Sequence, residues 1–279
     1  MKTNFYHKKI YKVYIFIITL IPLFFGCENI IEGELPYTER LVIQSELQAG
    51  DTVDVHISRT LPPLGTYKEE DARITNANAY ITCEGKNYPL RYVEKDFYTT
   101  DSLIATIGKT YELFVEWNGK KATAKTTIPP IVTIDAEQSY IKKQVKDFGG
   151  GSISYEYYGY IFVLSQPHNV FSIFIQRDNP NYYFSNYINT TYYQKENVLI
   201  EVQSGMIFVQ SNPQEPQFYT FIKNYDEQYY PFYKTFRSSN GSITGNSSDA
   251  PVQWNVTGDA IGMFIGSSVS PAQEVKLKQ

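Results

Sequence analysis

Cysteine is scarce in this sequence: the 279 residues include two, along with three histidines, three methionines and two tryptophans. Two cysteines cannot build a disulfide framework or a cysteine-rich zinc module. Basic charge is also in deficit, with 25 Lys+Arg against 29 Asp+Glu. A nucleic-acid binder would carry a basic patch or stripe to neutralise phosphates, so that class is excluded. No apolar run reaches the roughly 20 residues that a membrane-spanning helix needs. The common signatures of chemistry are missing too: there is no G-x-S-x-G, H-E-x-x-H, calcium loop or P-loop. What the chain does hold is 42% hydrophobic residues, enough for a sizeable core, and an aromatic fraction of 16% dominated by 25 tyrosines.

The first 26 residues read as a secretory signal. Lys2, His7, Lys8, Lys9 and Lys12 precede an apolar stretch from Val13 to Phe25, which Pro22 interrupts. Leu23-Phe24-Phe25-Gly26-Cys27 resembles a bacterial lipobox, in which the thiol is diacylated and the chain is cut so that Cys27 becomes the first residue. The competing reading is a plain signal peptide with an incidental cysteine. Cleavage would remove four lysines and no acid, moving the formal charge from −4 to −8. Lipid rather than charge must then hold the chain on a membrane, at about 0.8 kcal/mol per buried methylene. Residues 27–40 form a tether.

From Leu41 the apolar period is two, the mark of half-buried strands. Val53, Val55 and Ile57 alternate with polar residues. Ala77, Ala79, Ile81 and Cys83 share one face, as do Tyr111, Leu113, Val115 and Trp117. Asn118-Gly119 signals a two-residue hairpin, and Pro129-Pro130 ends the strand that returns from it. The expected architecture is all-β. Residues 41–130 form an antiparallel β-sandwich, 131–152 a linker and first strand of the next module, and 153–270 a second antiparallel β domain, sandwich or barrel-like, with one short helix after Pro231. Gly149-Gly150-Gly151 reads as a hinge, Val252–Val256 as a closing strand, and 271–279 as a frayed tail.

Several segments resemble the DUF4249 lipoproteins of Bacteroidetes. They are Leu41-Val42-Ile43, Val53–Thr60, Ile74–Ile81, Gly108–Leu113, Asn118-Gly119-Lys120, Thr127-Ile128-Pro129 and the glycine-rich Gly258–Gly266. The resemblance spans nearly the whole chain after the signal. Two departures stand out: Asp96-Phe97-Tyr98 replaces a commoner Gly-Xaa-Tyr turn, and the loop from Ser239 is polar and lengthened. The resemblance implies an immunoglobulin-like N-terminal domain, an outer-membrane lipoprotein and association with TonB-dependent receptors. It implies no activity.

His56 lies on the polar face of a strand and His168 follows Pro167; both read as surface residues rather than catalytic bases. Cys83 reads as a small core hydrophobe. No cofactor or metal is implied. The tyrosines stand out because both strand faces carry rings in Tyr155–Tyr160, Tyr182–Tyr187 and Tyr192-Tyr193, whereas burying one face needs only alternate apolar residues. Tyr155, Tyr157, Tyr158, Tyr182, Tyr183, Tyr187, Tyr192 and Tyr193 are therefore the candidate binding surface, since Tyr joins rigid apolar area to a hydrogen-bonding tip. The competing reading is ordinary cross-strand pairing of a good strand former. The functional expectation is a non-catalytic lipoprotein of the outer membrane, on either leaflet, serving as accessory or binding partner of a TonB-dependent transporter with a glycan or peptide cargo. The alternative is a surface glycan-binding protein that uses Tyr and Trp254 rings. A hydrolase is the third option, and no nucleophile, base and orienting group converge in sequence to support it.

Overall fold

A computed structural model of the chain describes residues 37–63, 66–150, 153–164, 169–177, 191–193, 198–207, 216–239 and 251–278. These residues are all-β apart from two helices, with sixteen strands linked into one open mixed sheet. The period-two pattern fixes which side chains turn inward. In β2 (Thr52–Arg59) Val53, Val55 and Ile57 are fully buried, and β3 (Asn78–Cys83) buries Ala79, Ile81 and Cys83. β6 (Thr110–Trp117) buries Tyr111, Leu113 and Val115, then turns through Asn118 and Gly119, at φ 47° and 75°, into β7 (Lys120–Thr127). Positive φ at both central residues is what a type I′ hairpin requires. The ladder stops before Pro129, which has no N–H to donate.

These strands share a first core with β1 (Leu41–Gln48) and with a strand from the far end of the chain, β15 (Ala260–Val269). β15 runs parallel to β1 over eight residue pairs, from Leu41↔Ala260 to Gln48↔Ser267, and pairs on its other side with β13 (Phe218–Tyr225). Ala260 and Phe264 enter the first core, Phe264 fully buried; burying one such ring contributes about 1.5–3 kcal/mol. The two stretches expected as separate modules thus interleave, and Thr38–Gln279 form one compact unit.

The expected closing strand at Val252–Val256 is not a strand. A side chain replaces it: Asn255 Nδ2 donates to the Phe264 carbonyl at 2.7 Å and the Phe264 N–H donates to Asn255 Oδ1 at 2.8 Å. One amide supplies the donor and acceptor that a neighbouring backbone would have offered. Only β14 (Thr257–Gly258) pairs regularly, with β7.

A second core lies under β8 (Ile134–Asp147), β9 (Ile153–Leu164), β10 (Asn169–Arg177), β12 (Leu199–Ile207) and β13. Of the triglycine expected as a hinge, Gly149 and Gly150 follow Asp147, which pairs with Ile153 across the β8–β9 hairpin, and Gly151 lies outside the described residues. The tail expected to fray forms β16 (Gln273–Lys278), with Val275 buried and strands on both sides, since Val275 and, in part, Leu277 reach the second core from this polar stretch. A short strand, β11 (Thr191–Tyr193), pairs with β10. The strand expected at 182–188 lies outside the described residues. The helices are α1 (Glu69–Ala72) and α2 (Tyr229–Ser239); Pro231 sits in the first turn of α2, where a missing N–H leaves no helical bond unmade.

Gly262 is what lets β15 lie against β1. Its φ is +131°, and a Cβ there would stand 1.8 Å from the carbonyl oxygen of Ile43. Both the backbone conformation and the space exclude a side chain. Gly262→Ala should cost about 3 kcal/mol or more, a fall in Tm on the order of 10 °C by thermal denaturation. Gly205→Ala, where no atom lies within 4 Å, is the control and should move Tm little; equal effects at the two sites would refute this role for Gly262.

Candidate ligand-binding cleft

The outer face of β1, β2 and β15 forms the floor of a cleft of about 490 Å³. From β15 come Ile261, Met263 and Ile265, the alternate residues to those in the core; from β1 come Val42, Gln44 and Glu46; from β2 come Asp54 and His56. The floor is therefore apolar at one side and polar at the other. Tyr225, Tyr229, Phe232 and Trp254 make the wall. Such a volume falls within the range of about 300–1,000 Å³ typical of small-molecule sites.

Buried Asp226 fixes the wall. Its Oδ2 accepts from Thr126 Oγ1 and from the Thr127 N–H, each at 2.7 Å, while its Oδ1 accepts from the Gln228 N–H at 3.1 Å. Its own N–H donates to the Gly266 carbonyl, and the Tyr229 N–H donates to the Asp226 carbonyl, both at 2.9 Å. One residue so ties β7, β15 and the start of α2 together. The rings then pack in series: Tyr225 on Tyr229 at 4.4 Å between centroids, Tyr229 on Phe232 at 5.9 Å, and Phe232 on Trp254 at 5.5 Å. Offset contacts of this kind add about 0.5–1.5 kcal/mol each beyond area burial and hold the wall stiff.

The charged groups divide into closed and open. Glu46 Oε1 is bonded by Lys223 Nζ and by Ser267 Oγ, both at 2.5 Å. His56 Nδ1 stands 3.1 Å from Asp96 Oδ1, and its ring packs on Phe97 at 3.8 Å. The Ser45 hydroxyl donates to the Asp54 backbone carbonyl. The Asp54 carboxyl is different: burial pushes its pKa up, partly opposed by His56. Burial also raises the Tyr225 and Tyr229 phenols, which keeps both as neutral hydrogen-bonding groups.

Of the tyrosines expected as a binding surface, Tyr155, Tyr157 and Tyr158 stand in three different settings. Tyr157 is buried in the second core, 5.4 Å from Phe218, because its strand face is the one that covers that core. Tyr155 is half-exposed, with Lys143 Nζ 4.6 Å from its ring centroid. Tyr158 donates to Glu156 Oε2 at 2.7 Å, and Glu156 in turn pairs with Lys146. Tyr192 and Tyr193 lie on β11, paired with Val170 and Asn169. Tyr182, Tyr183, Tyr187 and Cys27 lie outside the described residues. Tyr140 and Tyr160 stack at 4.8 Å, with Lys278 Nζ 3.8 Å from the Tyr140 ring centroid. The two face each other across the β8–β9 ladder as a cross-strand pair. Cys83 is buried, and burial raises its thiol pKa. Among the described residues no group of three or more His, Cys, Asp or Glu could hold a metal ion. Trp254, weighed between core and sugar contact, is 38% exposed in the cleft, whereas Val256 two residues on is in the core.

The molecule is thus an all-β protein whose mixed sheet carries an aromatic-walled cleft. The chain belongs to the family described as Domain of unknown function (DUF4249), whose model matches residues 28–273. No curated protein is significantly similar to it.

Asp54 yields a prediction whose sign is opposite to that of a salt-bridged acid. Its folded-state pKa is raised, so its contribution to stability is greatest when it is protonated, below the unfolded value of about 3.9, and is lost as pH rises through the folded value. Asp54→Asn should therefore be as stable as or more stable than the parent near pH 7, with the gap closing near pH 3. Urea midpoints at the two pH values check this; a variant markedly less stable near pH 7 would contradict it.

Proposed function

We propose that this chain is a non-catalytic outer-membrane lipoprotein, anchored through Cys27, that captures cargo in the cleft and presents it to a TonB-dependent transporter. Residues 41–130 are taken as its immunoglobulin-like β-sandwich; the first core, lined by β1 and β2 together with β3, β6 and β7, supports that reading. The observation that carries the binding reading is the cleft itself, a stiff aromatic wall facing open polar groups across an apolar floor. Binding rather than turnover is favoured by how the polar groups are engaged. The Ser45 hydroxyl is turned to a backbone carbonyl, and His56 is held between Asp96 and Phe97. Neither forms a nucleophile–base pair. The lipobox-like Leu23–Cys27 supports the anchor, and two or three acyl chains bind membranes far more firmly than one.

The test is purification through a C-terminal tag from membranes of cells fed radiolabelled palmitate. The parent chain should carry label and recover a TonB-dependent receptor, whereas Cys27→Ala should carry no label and appear in the soluble fraction. Full labelling of Cys27→Ala would refute the anchor, and repeated recovery of no receptor by the parent would refute the partner.

A further inference from the structure

We propose that the cleft binds the pyranose rings of a neutral glycan, an assignment that rests on the capture reading above and names its cargo. Three features of the lining select this class. The first is the wall, where Trp254, backed by Phe232 in turn packed on Tyr229, gives a sugar ring a rigid apolar plane for its C–H face.

The second is the set of open polar groups. Among the described residues the Trp254 indole N–H, the Tyr229 hydroxyl and the Gln44 side-chain amide have no hydrogen-bond partner, and no other residue's side chain bonds the Asp54 carboxylate. One donor, two groups that can donate or accept, and one acceptor thus border the aromatic plane. A purely apolar ligand would strip water from these groups and leave them unpaired, which disfavours its binding. A ring with hydroxyls around its rim pairs them while its face stays on the aromatic wall.

The third is charge. The Lys223 ammonium is committed to Glu46 and lies 5.9 Å from the Tyr225 ring centroid, and His56 faces Asp96. The charge left open is the Asp54 carboxylate. Uronic or sulfated sugars would meet a carboxylate with no free cation to offset it, so the cleft selects against them.

The full chain, purified in a sugar-free zwitterionic detergent, is titrated with maltohexaose, cellohexaose, mannohexaose and hexagalacturonate, read by calorimetry and by tryptophan fluorescence. At least one neutral hexaose should bind saturably while hexagalacturonate does not. Trp254→Ala should weaken that binding at least about tenfold, with Tm lowered by only a few degrees. Gln44→Ala, on the floor, should weaken it more mildly and serves if Trp254→Ala fails to fold. Binding that both variants leave unchanged would overturn the site. Binding of hexagalacturonate alone would overturn the neutral class. No binding of any hexaose by a chain that still recovers a TonB-dependent receptor would overturn the glycan assignment and leave the capture reading standing; no binding and no receptor would overturn both.

Discussion

The parallel pairing of β1 with β15 is the constraint on which the rest of this structure depends. Parallel neighbours cannot be joined by a tight turn, and here nearly the whole chain lies between the two partners. The pairing closes a very long loop, so its entropic cost must be met by what the strand buries. β15 does this on both faces. Inward, Phe264 completes the first core; at its edges, β1 and β13 take its backbone; outward, Ile261, Met263 and Ile265 floor the cleft. Gly262 makes the approach to Ile43 sterically admissible. A fold built on such distant contacts is expected to form slowly and to unfold as a unit.

The cleft inherits its rigidity from this pairing. Asp226 bonds to β7 and to Gly266 on β15, and so seats the start of α2 on strands that are already fixed. Aromatic packing then carries that placement out to Trp254, while Asn255 beside it is bound to Phe264. A wall held at both ends pre-organises a site and lowers the ordering cost of binding. The Asp54 carboxylate, whose burial His56 offsets only in part, runs against this stabilising logic, as groups retained for function rather than stability often do.

Much of the first half was legible in sequence, because each strand there carries its own signal. Val53, Val55 and Ile57 alternate, Asn118-Gly119 names its turn type, and Pro129 sets an end. The second half was legible as strands but not as partners: nothing local in Ala260–Ile265 says that it will lie beside Leu41. Asn255 hid a strand-like role in a side chain, and Val275 hid a core residue in a polar tail. The tyrosine runs drew attention through two-faced aromaticity, yet Tyr157 is core and Tyr140 with Tyr160 is cross-strand pairing. The same two-faced test applied to Ala260-Ile261-Gly262-Met263-Phe264-Ile265 would have flagged a strand apolar on both sides, one that must be covered on both. Asp54 and Gln44 carry no local signal that sets them apart, because their setting comes from α2 and Trp254, which long-range folding alone brings near them.

Native-state hydrogen exchange of the purified chain tests the central claim most directly. If the β1–β15 pairing is the element the fold rests on, amides of Leu41–Gln48 and Ala260–Val269 should exchange together and only with global unfolding, among the slowest in the protein. Exchange of the β15 amides through a local opening, faster than those of β2 and β6, would show that the first core stands without it and would contradict the account.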